Sequence, residues 1–259
     1  MSRISNVFKK AKHKALIAYI TTGYPSIEAT LEVAALLAEC GCDIIELGIP
    51  FSDPLADGMT IQNATHQALL NGVTVKKCLE AAAKIRRKVS IPLVFMGYLN
   101  PILHYGTEEF CADCAKAGVD GLIIPDLPPG ELPALEDSAL RRGLDVISFL
   151  APNSSDARIK QIAEKAHGFI YLVSVTGVTG VRTGFSADLK GFIARVRQAT
   201  DLPLSIGFGI STPEQAAQAA GLADGVIIGS RIIQLMEEGN QSYKKLGDFI
   251  GEVRHSIDS

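Results

Sequence analysis

The sequence has no tryptophan, only five cysteines in 259 residues, and aromatic side chains at 6% of positions. It also lacks a run of one charge: 25 Lys and Arg stand against 28 Asp and Glu, for a formal charge of −3. Without a basic stripe there is no footprint for nucleic acid or an anionic membrane surface. The longest stretch free of Asp, Glu, Lys and Arg, residues 89–107, is interrupted by Pro92, Gly97, Asn100, Pro101 and His104. It reads as a strand and a turn, not as a membrane span. Basic residues near the N-terminus precede a short apolar run, but Tyr19, Thr21 and Thr22 break it and no small-residue cleavage site follows, so a cytoplasmic protein is expected.

The cysteines, Cys40, Cys42, Cys78, Cys111 and Cys114, are odd in number, which favours reduced thiols. Cys111-Ala-Asp-Cys114 has a redox or zinc spacing. It has no second pair or His pair and sits in an amphipathic helical pattern, so packing thiols are expected and no metal site.

What the chain does have is 47% apolar residues, arranged in short runs that alternate with helical patterns from end to end. Strands are expected at residues 15–21, 42–49, 92–98, 121–126, 145–151, 169–175, 203–209 and 225–230. Most are continuous runs of Val, Ile, Leu, Phe and Tyr, as in parallel strands covered on both faces. Helical patterns lie at 26–39, 75–88, 108–117, 155–165, 188–200 and 213–220. Start signals include Ser26 with Glu28 and Ser211-Thr212-Pro213-Glu214, and Gly41, Gly118, Gly143 and Gly221 each stand between a helix and a strand. Eight such units in one domain, residues 1–259, predict a single (β/α)8 TIM barrel. An N-terminal extra helix and a short extra helix before the last one are expected to flank it. An open doubly wound sheet is the structural alternative, and it requires a switch point.

In a (β/α)8 barrel the chemistry sits at the C-terminal strand ends. Alternation along 42–49 puts Cys42, Ile44, Glu46 and Gly48 on one face, with Asp43, Ile45 and Leu47 on the other. Glu46 is therefore an acid in an apolar strand, where burial raises its pKa toward that of a general acid/base. A structural ion pair is the competing reading, but no other predicted strand brings an Arg or Lys to the barrel interior. Asp53 and Asp57 follow in Ser52-Asp53-Pro54-Leu55-Ala56-Asp57-Gly58. Asp-Pro and Asp-Gly are turn dipeptides, so either is a turn former or a second carboxylate, and spacing does not separate them.

The last three strands end in glycines: Ser174 to Gly180, Gly207-Phe208-Gly209, and Gly229-Ser230 leading into a helix. Glycine lets backbone N–H groups approach a phosphate, and a helix N-terminus aims at the same place. A single Gly-rich turn would be explained by turn geometry; three together point to phosphate. Tyr19, Tyr98, Tyr171 and Phe208 at strand ends suggest a flat apolar moiety beside it. No lysine lies in a predicted strand and the five histidines are scattered, which disfavours Schiff-base and metal-assisted chemistry. Proton transfer by carboxylates on a phosphorylated substrate is left.

The segment Glu46-Leu47-Gly48-Ile49-Pro50-Phe51-Ser52-Asp53-Pro54-Leu55-Ala56-Asp57-Gly58, followed by Thr60-Ile61-Gln62, resembles the tryptophan synthase alpha subunit family. Tyr171 to Ser174, Gly177 to Gly180, Gly207 to Ile210 and Gly229-Ser230 match in order and spacing. Met59 departs from the proline common in the family at that position. The resemblance implies retro-aldol cleavage of indole-3-glycerol phosphate, with Glu46 as acid/base and Asp57 on the indole N–H. It implies Tyr171 beside Glu46, phosphate held by Gly180, Gly209, Gly229 and Ser230, and Thr179 in a closing loop. It further implies an α2β2 complex in which Asp53 and Pro54 contact a beta subunit; pyridoxal phosphate belongs to that partner and no cofactor to this chain. A stand-alone indole-releasing lyase, a partner-activating module and a different phosphate-binding barrel are the alternatives.

Overall fold

Strand pairing runs in sequence order and closes on itself: β1 (Ala15–Thr21), β2 (Ile44–Gly48), β3 (Leu93–Met96), β4 (Gly121–Ile123), β5 (Asp145–Leu150), β6 (Ile170–Val173), β7 (Leu204–Gly207) and β8 (Gly225–Ile228). All pairs are parallel, and β8 returns to β1. The computed structural model describes residues 2–10, 13–173, 187–207, 209–239 and 242–259. Helix α1 (Arg3–Lys10) precedes the barrel. Around it follow α2 (Ile27–Glu39), α3 (Met59–Leu70), α4 (Val75–Arg86), α5 (Leu99–Tyr105), α6 (Thr107–Ala117), α7 (Pro133–Arg141), α8 (Asp156–Lys165), α9 (Ala187–Ala199), α10 (Pro213–Ala220), α11 (Ser230–Glu238) and α12 (Lys244–Asp258). The expected (β/α)8 barrel is present, with its N-terminal helix and the short α11 before the last helix. No helix among the described residues is long and apolar enough to cross a membrane.

Strand alternation divides the core in two. Ile17, Tyr19, Ile44, Val94, Met96, Ile123, Ile147, Tyr171 and Ile227 fill the barrel interior. The intervening residues, among them Leu16, Ile45, Leu47, Phe95, Leu122, Leu172 and Val226, pack against the helices. Cys42 was expected on the inward face, but it precedes β2 and joins the helix-facing layer, because the chain has not yet entered the pleat. Cys111 and Cys114 are also buried in that layer.

Helix α1 seals the N-terminal end of the barrel. Ile4 is wholly buried in the interior cluster, and the Phe8 ring lies 5.6 Å from that of Phe169. Gly121 makes the plug possible, since a Cβ there would stand 2.8 Å from Ile4 Cδ1.

Local signals explain the helix ends. Ser26 accepts the Ala29 N–H at 3.1 Å, and Thr212 that of Gln215 at 3.3 Å. Gly41, Gly118 and Gly143 have φ of 96°, 80° and 75°, but Gly221 stays right-handed at −65° and needs no glycine conformation. Residues 99–105, read as a turn, form α5; Pro101 falls in its first turn, where no N–H is required. Most strands end before their apolar runs do, because the last residues of each run turn outward into the loops.

Candidate active site

On β2, Glu46 sits in register with Tyr19 of β1 and Val94 of β3. It is wholly buried, and neither carboxyl oxygen has a hydrogen-bond partner among the described residues. Burial alone pushes its pKa up to about 8. At neutral pH the group is held as an uncharged acid with its proton uncommitted.

Asp57 lies in the loop between β2 and α3. Burial pushes its carboxyl up to about 6, against the opposing effect of a hydrogen bond from the Tyr98 hydroxyl. That hydroxyl also accepts the Ala56 N–H at 3.0 Å, and the Phe51 and Tyr98 rings lie 5.5 Å apart. Tyr98 thus pins the loop that carries Asp57. The backbone helps: the Asp57 N–H donates to the Pro54 carbonyl at 3.1 Å, and its own carbonyl accepts from Gln62 Nε2 at 2.8 Å. Asp53, in contrast, is exposed, and its carboxylate accepts the hydroxyl of its neighbour Ser52 at 2.5 Å. The two aspartates that spacing left equivalent occupy different environments, one turned toward the barrel mouth and one toward solvent.

Two buried tyrosines complete the floor. Charge on Asp57 and Glu46 adds to burial in raising Tyr19, and charge on Glu46 and Asp57 adds to burial in raising Tyr171. Both phenols therefore share the electrostatic neighbourhood of both carboxyls. The Tyr19 hydroxyl contacts Thr21 Oγ1 at 3.3 Å. Each phenol occupies the space of a missing side chain: a Cβ on Gly48 would lie 2.2 Å from the Tyr19 oxygen, and one on Gly207 2.3 Å from the Tyr171 oxygen. Gly207, which stands in the glycine-rich end of β7, has its side-chain space taken by Tyr171. Thr21, Ala56 and the glycine at Gly48 went unrecognised as parts of the site; the inward alternation of Tyr19, Thr21, Glu46 and Gly48 was the available signal.

Beyond β7 and β8 the chain offers backbone donors. Gly209 has φ of 80°, and Gly229 precedes α11 with no side chain capping the helix, which leaves its first N–H groups facing the barrel mouth. Ser230 is exposed at that end. A Cβ on Gly229 would come within 3.3 Å of Tyr19, which ties this helix start to the carboxyl cluster. Thr179, Gly180 and Phe208 lie outside the described residues.

The family model for the tryptophan synthase alpha chain matches residues 6–255. A curated tryptophan synthase alpha chain from Dehalococcoides mccartyi is 58% identical over 258 residues, covering 100% of both chains. One from Geobacter sulfurreducens is 47% identical with 99% of each chain covered. Among solved structures, an Aquifex aeolicus protein superposes with a TM-score of 0.92 at 37% identity, covering 100% of each chain. A tryptophan synthase from M. tuberculosis in its aminoacrylate-bound form gives 0.90 at 37% identity, over 99% of this chain and 100% of that one.

Proposed function

The chain belongs to the tryptophan synthase alpha chain family, and from that we propose which of its residues carry the family's reaction. It is a lyase that cleaves indole-3-glycerol phosphate to indole and glyceraldehyde 3-phosphate. Glu46, protonated at neutral pH, gives its proton to C3 of the indole ring. The resulting carboxylate removes the proton of the hydroxyl on the side-chain carbon bonded to C3. The C–C bond then breaks, its electrons return to the ring to restore indole, and the hydroxyl-bearing carbon becomes the aldehyde. Glu46 ends as it began, protonated, so the proton count closes within the site.

Asp57 accepts a hydrogen bond from the indole N–H and stabilises the positive charge that C3 protonation places on the ring. That role requires an anion, consistent with a pKa of about 6 rather than 8. Tyr19, Tyr98 and Tyr171, with Phe208, bound the indole. Gly180, Gly209, Gly229 and Ser230 present the N–H groups for the phosphate, and Thr179 belongs to the loop that closes over it.

The exposed loop of Asp53 and Pro54, with Leu55 at 93% exposure, is the surface we assign to a beta subunit of an α2β2 complex. Pyridoxal phosphate is placed in that partner and no cofactor in this chain, and the assembly is placed in the cytoplasm. The single observation that carries the residue assignment is Glu46: buried, uncharged and without a hydrogen-bond partner among the described residues. Replacing it with glutamine keeps shape and polarity but removes the transferable proton. Indole release by Glu46→Gln, measured with and without a beta subunit, is expected to fall about 10²–10⁴-fold; unchanged turnover would overturn the assignment.

A further inference from the structure

Between α7 and α8, beside β5, lies a cavity of about 110 Å³. Helix α7 is tied to α6 by ion pairs of Glu108 with Arg141 and Arg142, and α8 to α9 by Arg195 with Asp156. No ion pair among the described residues joins α7 to α8, and the strand between them is left accessible.

Alternation along β5 turns Ile147 and Phe149 toward the barrel and Val146 and Ser148 outward, and all four line the cavity. Leu127 and Leu140 add apolar wall, and Leu140 is 41% exposed. Ser148, only 6% exposed, is the polar residue of that stretch of strand.

The rim is cationic. Arg158 and Lys165 are seven residues apart on α8, hence two turns apart on one face, and both line the cavity. Neither makes an ion pair among the described residues; Arg158 donates only to Gln161, at 3.0 Å. Opposite them, the Glu136 carboxylate is already committed to the Gly130 N–H at 2.6 Å. Apolar walls and two cations without an ion pair among the described residues describe a receptor for a small ring bearing an anion.

We propose that this cavity binds a small aromatic carboxylate, with the ring against Leu127, Leu140 and Val146 and the carboxylate on Arg158 and Lys165. The guanidinium fork matches a carboxylate with two parallel N–H donors, which favours that anion over a halide. The test uses benzoate as probe and the full chain, followed by methyl NMR. Saturable shifts at Leu127, Leu140 and Val146 are expected, with affinity reduced at least tenfold by R158Q/K165Q. Benzamide, the same ring without the charge, is expected to bind at least tenfold more weakly. Both substitutions lie on the cavity rim of α8, and glycerol 3-phosphate added throughout keeps benzoate from the barrel mouth. Absence of shifts at these methyls, equal binding by the double variant, or equal binding of benzamide would each overturn the proposal.

Discussion

Gly48 and Tyr19 are matched as space and filler: a methyl group on Gly48 would stand 2.2 Å from the Tyr19 oxygen and 2.7 Å from Cζ of the same ring. Tyr19 has nowhere to retreat, because its other side meets Gly229. Gly48→Ala is therefore expected to destabilise the fold by about 1–3 kcal/mol through overpacking, and to displace the phenol from the carboxyl cluster. In a Tyr19→Leu background the same change should be tolerated, since leucine ends short of the collision. Denaturant midpoints of the four proteins of the cycle test this; additive effects would mean that the contact does not set the identity of residue 48.

Two carboxyls with separated pKa values predict the shape of the pH profile. Asp57 must be charged, so kcat/KM is expected to fall as pH drops through about 6. Glu46 must be protonated at the first step, so kcat/KM is expected to fall again as pH rises through about 8. A bell between these limbs, with the alkaline limb absent in the residual activity of Glu46→Gln, is the expected result. A single acid limb in the wild type would assign the initial proton to another group.

The same burial affects stability, with a sign opposite to that of a salt-bridged acid. Glu46 titrates at about 8 when folded and near its ordinary value of 4.5 when unfolded. The unfolded chain therefore releases the proton first, and stability falls as pH rises from about 4.5 to 8, by an amount on the order of a few kcal/mol. Glutamine at this position does not ionise. The Tm of Glu46→Gln relative to wild type should rise between pH 5 and pH 8.5, and a pH-independent difference would mean that Glu46 is solvated in the folded state.

At the other end of the barrel, Arg86 gathers four acceptors. Its Nε donates to the Gly118 carbonyl at 3.0 Å, and Nη1 donates to those of Val89 and Ile91 at 3.0 and 2.9 Å. Nη2 reaches Asp120 Oδ2 at 2.7 Å, and the same oxygen accepts the Leu93 N–H at 2.9 Å. A single ammonium cannot serve this set, so Arg86→Lys is expected to cost about 2–3 kcal/mol despite conserving charge. Thermal or urea unfolding measures it, and a loss below about 0.5 kcal/mol would show that water replaces the fork freely.

The barrel was readable because parallel strands covered on both faces leave continuous apolar runs, and eight of them alternate with helical periods. Glu46 was readable for a related reason: an acid inside such a run has no solvent to face. Asp57 was not separable from Asp53 on spacing, because what distinguishes them is Tyr98, 41 residues beyond Asp57 and brought to it only by β2–β3 pairing. At Gly207 a glycine placed for phosphate and one placed for a phenol look alike in sequence, and only the fold shows Tyr171 filling its side-chain space. Helix α5 was missed because Asn100-Pro101 resembles a turn when its helical position is unknown.

The loop after β2 links the site to the proposed partner within a few residues. Leu55 is 93% exposed and Met59 69%, apolar side chains that a lone chain gains nothing by presenting to water. Tyr98 holds Ala56 between them and reaches the Asp57 carboxylate from the same hydroxyl, so the loop backbone and the acid share one anchor. A partner that buries Leu55 thereby presses on the segment that positions Asp57. Leu55→Asp is expected to weaken association with a beta subunit at least tenfold while leaving the fold and the basal indole release of the isolated chain unchanged. Tyr98→Phe should do the reverse, preserving association but reducing the rate increase that the partner brings, because the hydroxyl joining loop to acid is gone. Titration of a beta subunit into each variant, read by indole release and by sedimentation, separates the two effects. If Leu55→Asp binds the partner as tightly as wild type, the interface lies elsewhere on the barrel face.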